Sequence, residues 1–183
     1  MRKKEDNNKK SNENGKQHQT KKKSIFLLGD SIVNGIKDRG LSKQHNVKVR
    51  AQPGATTQDM EDHIKPLLRK EPDMVILHCG TNDLTNEVDT ISHLDAMVKY
   101  TRKESPSTEI VVSNIVTRRD KDGIHQKVTD LNSRVKDFCR NNQLKVIDNS
   151  NLDITCLSQK KLHLNRKGTG YLAHNLLSFI SEH

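Results

Sequence analysis

The chain has 183 residues, enough for one domain with a real core, although only 31% of them are hydrophobic and 3% aromatic. Its formal charge of +9 sits mostly at one end: residues 1–24 hold nine Lys/Arg against three acids, so 9 − 3 leaves +6 there and a mildly basic remainder. No apolar run is long enough for a membrane-spanning helix, and no N-terminal stretch reads as a secretory signal, so an intracellular protein, cytoplasmic or nuclear, is expected.

Residues 1–23 are dense in Asn, Lys, Gln and Ser and almost free of apolar side chains. Such a segment cannot offset the entropy of ordering, so a disordered basic tail is expected ahead of a folded domain over 24–183. The tail could contact nucleic acid or anionic surfaces by counterion release, or be a nuclear-import address; a solubilising tail or linker remnant is the plainer reading. Cys79, Cys139 and Cys156 are odd in number and lack metal-ligand spacing, which suits a reducing compartment and small core or surface thiols.

From Ser24 onward, short aliphatic runs alternate with amphipathic stretches. The runs at 24–28, 47–49, 74–78, 109–115 and 144–147 read as strands buried on both faces. A short helix is expected after Ser31. Met60, Ile64, Leu67 and Leu68 form one helical stripe, with Pro66 expected to kink or end it. Val88, Ile91, Leu94 and Val98 form a second, Val128, Leu131, Val135 and Phe138 a third, and Leu172, Leu176 and Ile180 a fourth. The repeated alternation predicts an α/β fold, a parallel sheet with helices on both faces.

Ligands of such sheets bind at the carboxyl ends of the strands, so the residues just after each strand matter most. These are Gly29-Asp30-Ser31, then 52–57 with Gly54, then Gly80-Thr81-Asn82-Asp83, and Leu162-His163-Leu164-Asn165 before the last helix. Ser31 offers a hydroxyl nucleophile that needs a base, and His163 is the candidate. The Ser31 N–H at a helix start, the unencumbered N–H of Gly54 and the amide of Asn82 could together form an oxyanion hole. Each piece has a plainer explanation: Asp30 or Ser31 as a helix cap, Gly-x-Asn-Asp as a turn, His163 as a surface histidine. Their order along the chain and their common edge favour the joint reading.

These four blocks resemble the SGNH (GDSL) hydrolase superfamily, over roughly residue 24 to the end. The resemblance implies a three-layer α/β/α sandwich around a five-stranded parallel sheet, of flavodoxin-like type, and ester hydrolysis without metal or organic cofactor. It implies Ser31 as nucleophile, His163 as base, and Ser31, Gly54 and Asn82 as oxyanion donors, with Asp30 and Asp83 in support. Segments 52–60, 78–84, 113–120 and 162–175 further resemble the esterase-like domain of first-open-reading-frame proteins of LINE-type retrotransposons and invertebrate relatives.

One position departs from the family pattern. The Asp usually found three residues before the histidine is here Lys160, and a cation cannot accept the imidazole N–H. A carbonyl near Gln159 or Lys160 could orient His163, or Asp148 or Asp153 could substitute; otherwise the site is weak or silent. Arg118 or Arg119 could meet an anionic substrate group, with a solvated loop held by Asp120 as the plainer reading. His78 and Cys79 read as packing residues, and Gly168 as a close-packing glycine. Histidine and cysteine spacings match no metal motif.

Two functions follow. The first is a serine esterase acting on a small or acetylated ester, carbohydrate deacetylation being a variant of the same site. The other is a binding or assembly module of a retroelement-type protein, with a degenerate site and a tail that contacts nucleic acid.

Overall fold

In the computed structural model, residues 21–183 are described; residues 1–20 of the expected tail over 1–23, and its contact with nucleic acid, lie outside the described residues. Five parallel strands form one sheet in the order β2-β1-β3-β4-β5: β1 Ser24–Gly29, β2 Asn46–Ala51, β3 Met74–His78, β4 Glu109–Ser113 and β5 Lys145–Ile147. The helices are α1 Asp38–Leu41, α2 Thr57–Leu68, α3 Asp83–Asn86, α4 Thr90–Glu104, α5 Ile124–Asn141 and α6 Arg166–Ser181. Two 3₁₀ turns, Ser31–Gly35 and Ile154–Cys156, complete the chain order.

Successive strand residues point to opposite faces, so each strand feeds two cores. Phe26, Leu28, Val75, Leu77, Ile110 and Val112 pack with the apolar stripes of α2, α4 and α5. Ile25, Leu27, Met74, Ile76 and Val111 pack on the other face with Leu41 of α1 and Leu172, Leu176 and Ile180 of α6. The three-layer α/β/α sandwich is therefore as expected. Cys79, Cys139 and Cys156 are free and buried. No described helix is long and apolar enough to cross a membrane.

The differences from the sequence reading lie at edges and caps. β2 is an edge strand and runs longer than 47–49. Only Val47 is fully buried, while Lys48 and Arg50 on the other face lay their cations 6.0 and 5.9 Å from the Phe26 ring centroid. β4 stops at Ser113 rather than 115, because Ile115 N donates to Asn132 Oδ1 of α5 instead of to a strand. Pro66 lies inside the last turn of α2, which ends two residues later at Leu68. Val88 lies outside the second stripe: Glu87, at φ 55, ends α3, and the buried face of α4 is Leu94, Met97, Val98 and Thr101.

Candidate active site

β1 delivers Ser31 to the carboxyl edge of the sheet. Gly29 is required there, since a Cβ would lie 2.7 Å from the carbonyl oxygen of His78 on β3. The Asp30 amide donates to that oxygen at 3.2 Å, and the Asp30 carboxylate caps the following 3₁₀ turn by accepting from Ile32 N at 2.9 Å. Ser31 opens the turn half-buried, and an amide at a first helical position has no acceptor within the turn.

His163 arrives on a small hairpin. Leu157 and Leu164 form an antiparallel bridge, Ser158 N donates to the His163 carbonyl at 2.7 Å, and Asn165 N to that of Cys156 at 2.9 Å. Lys161 closes the tip by donating to the Ser158 carbonyl and stands in the left-handed region at φ 54. Asn165 anchors the base: its Oδ1 caps α6 by accepting from Gly168 N, and its Nδ2 donates to the carbonyls of Thr155 and Leu157. Gly168 packs so closely that a Cβ would overlap the Cys156 carbonyl, the role its position suggested. Across 132 residues of sequence, Ser31 Oγ and His163 Nε2 stand 3.1 Å apart.

The other imidazole nitrogen differs from both orienting schemes considered above. Among the described residues, His163 Nδ1 has no acceptor. Asp153 is committed to Thr155, whose N and Oγ1 donate to its Oδ1 at 2.9 and 2.6 Å. Asp148 accepts from Ser150 N at 3.1 Å and Ser150 Oγ at 3.0 Å, and faces Lys136 at 3.7 Å. Neither hydrogen bonds to the imidazole, and no carbonyl of Gln159 or Lys160 does so.

Gly54 and Asn82 meet on the next loops. Gly54 sits at φ +83, the conformation that calls for glycine, in an exposed turn where Ala55 N donates to the Gln52 carbonyl. Asn82 Nδ2 donates to the Ala55 carbonyl at 2.8 Å, so one amide hydrogen braces the Gly54 loop and the second remains for other partners. Gln52 N donates to the Gly29 carbonyl at 2.8 Å, tying this loop to the end of β1.

Beneath these loops lies a layer of buried polar groups. Asp83 accepts from Thr57 N (2.9 Å), Thr57 Oγ1 (2.5 Å) and Thr90 Oγ1 (2.6 Å), joining the starts of α2 and α4. Arg118 is buried rather than in a solvated loop. Its Nε and Nη2 grip both oxygens of Asp120 at 2.7 and 2.6 Å, and its Nη1 donates to the Thr81 carbonyl at 2.7 Å, next to Asn82. Arg119, by contrast, is exposed, and its backbone N–H donates to the Lys161 carbonyl at 2.8 Å. Burial pushes the Asp30 carboxyl up to about 6, against the pull of the Ile32 amide and Thr81. Burial likewise drives His78 down to about 4, with its Nδ1 on Ser113 Oγ at 2.9 Å. What motif reading missed are the anchoring role of Asn165 and the burial of Arg118. An Asn three residues before a helical glycine is a legible cap signal; the burial of Arg118 has none.

A family model describing the GDSL-like lipase/acylhydrolase family matches residues 27–170. The chain belongs to that family. No curated protein matches this GDSL-family chain at a significant level. Solved structures do. A GDSL-like lipase from Bacteroides thetaiotaomicron is 15% identical, with a TM-score of 0.71 over 87% of this chain and 88% of its own. A lipase/acylhydrolase from Enterococcus faecalis is 20% identical, with a TM-score of 0.69 over 87% and 96%. A psychrotrophic esterase from a Pseudoalteromonas species, inhibited by monoethylphosphonate, is 17% identical, with a TM-score of 0.67 over 86% and 96%. At these identities the likeness is one of fold, and the GDSL family makes ester or lipid-ester hydrolysis the activity class to test.

Proposed function

We propose that this protein is a serine ester hydrolase acting on small or acetylated esters, with Ser31 as nucleophile and His163 as general base. The supporting observation is the 3.1 Å pairing of Ser31 Oγ with His163 Nε2. As Ser31 Oγ attacks the ester carbonyl carbon, Nε2 takes its proton and then returns it to the departing alcohol. The oxyanion formed in between takes hydrogen bonds from the Ser31 and Gly54 amides and the uncommitted Nδ2 hydrogen of Asn82, each such donor being worth about 10²–10³ in rate. Water then repeats the sequence on the acyl-enzyme and releases the acid. Asp30 and Asp83 support the loops without touching substrate. No metal or organic cofactor takes part. An intracellular setting, cytoplasmic or nuclear, fits three free thiols.

A second reading is favoured by one observation, the absence of an acceptor at His163 Nδ1 where the family places an acid. On that reading the fold is a retroelement-type binding or assembly module, and the basic residues 1–23 contact nucleic acid.

Hydrolysis of p-nitrophenyl acetate, measured beside Ser31→Ala and His163→Ala, tests the first reading: turnover should be lost in both variants. A parent no faster than Ser31→Ala moves the second reading ahead. That reading in turn requires salt-sensitive RNA binding that disappears on deleting residues 1–24.

A further inference from the structure

A hollow of about 440 Å³ lies beside the His163 hairpin, lined on one side by Lys161 and on the other by Arg119, Lys121 and Asp122 of the β4–α5 connection and His125 in the first turn of α5. The Arg119 N–H to Lys161 carbonyl bond holds its two walls together. Three cations against one carboxylate give this lining a charge of 3 − 1 = +2. Among the described residues Arg119, Lys121 and Lys161 take part in no ion pair, and the neighbouring Asp120 has both oxygens occupied by Arg118. Lys161 is two residues from His163, so their Cα atoms are within about 7 Å. A second cavity, of about 550 Å³, shares Arg119, His125 and Ile154 with the first and continues between α5 and the segment after β5. Ile115, Val128 and Leu152 line it together with Lys136, Asp148 and Asp153.

We propose that the hollow seats an anionic group of the substrate, so that the ester presented to Ser31 carries a carboxylate, phosphate or sulfate away from its ester bond. The inference rests on the esterase reading and narrows its substrate class. Unpaired cations lining a concavity raise the local concentration of an anion, and a guanidinium matches carboxylate and phosphate geometry. A substrate anion there also brings negative charge to the neighbourhood where Lys160 replaces the family acid, which favours the imidazolium formed during the reaction.

The test compares kcat/KM for two acetyl esters, 4-acetoxybenzoate and the uncharged 4-acetoxybenzamide, in the full chain and in an Arg119→Glu/Lys161→Glu variant. The parent should prefer the carboxylate by about tenfold at low salt, the preference should shrink as salt rises, and the double variant should bring it to about one or below. Equal rates on the two esters, or a preference that the double variant keeps, overturns the proposal, while Ser31-dependent turnover leaves the esterase reading standing. Acceleration of the amide ester by free inorganic phosphate assigns the hollow to a free anion and also overturns it. If neither ester turns over, the esterase reading fails separately and binding decides. A saturable shift of the His125 ring signals on titrating 4-hydroxybenzoate, absent in the double variant, supports the hollow; no shift overturns it.

Discussion

The amide of Asp30 donates to the carbonyl of His78 at 3.2 Å, joining the residue before Ser31 to the last residue of β3. Both side chains are buried and both titrate far from their ordinary values, in opposite senses for stability. Asp30, raised from 3.8 to about 6, contributes stability that is complete below pH 3.8 and lost as pH rises through 6. His78, lowered from 6.5 to about 4, contributes stability that is complete above pH 6.5 and lost as pH falls through 4. Each shift is worth about 3 kcal/mol, so the two largely offset one another between pH 4 and 6. Urea unfolding from pH 4 to 6.5 should show Asp30→Asn gaining stability relative to the parent as pH rises. His78→Gln should lose it over the same range.

Lys160→Asp should raise esterase turnover. Loss of the orienting acid from a serine-protease triad costs about 10⁴ in turnover, and a carboxylate restored on a surface hairpin should recover about 10² of such a deficit. Steady-state rates on p-nitrophenyl acetate check it. An unchanged rate would mean that position 160, at the hairpin tip, does not reach Nδ1.

Gly168→Ala should destabilise the protein by about 1–3 kcal/mol, because the new methyl overlaps the Cys156 carbonyl and Leu164 in the hairpin that presents His163. The urea midpoint reads the loss of stability. A fall in kcat larger than the stability change accounts for would show the hairpin displaced from Ser31.

Asp120→Ala should cost about 3–5 kcal/mol, since it strands the buried Arg118 guanidinium. Arg118 also holds the Thr81 carbonyl, so oxyanion stabilisation through Asn82 should weaken. Pairing with Arg118 holds the Asp120 carboxyl below its ordinary range. Its contribution is therefore present above pH 3.8 and lost as pH falls below that value. Thermal melts of parent and variant should converge in acid.

The strand and helix alternation, the two-sided burial of β1 and β3 and the four loop blocks were all legible in the chain. Hydrophobic period, cap chemistry and turn residues are written within a few positions of where they act. Gly54, Asn82 and Ser31 could be placed at one edge because parallel strands end on the same side of the sheet. The 3.1 Å approach of Ser31 to His163 was not legible in the same way, since it depends on a hairpin that Asn165 ties to α6 and Arg119 ties to the β4 loop. The burial of Arg118, the commitment of Asp148 and Asp153 to their own neighbours, and the bare Nδ1 of His163 were settled only by folding. A side chain's partners and its access to water are set by residues distant in sequence, and no local pattern records which of several carboxylates will turn toward an imidazole.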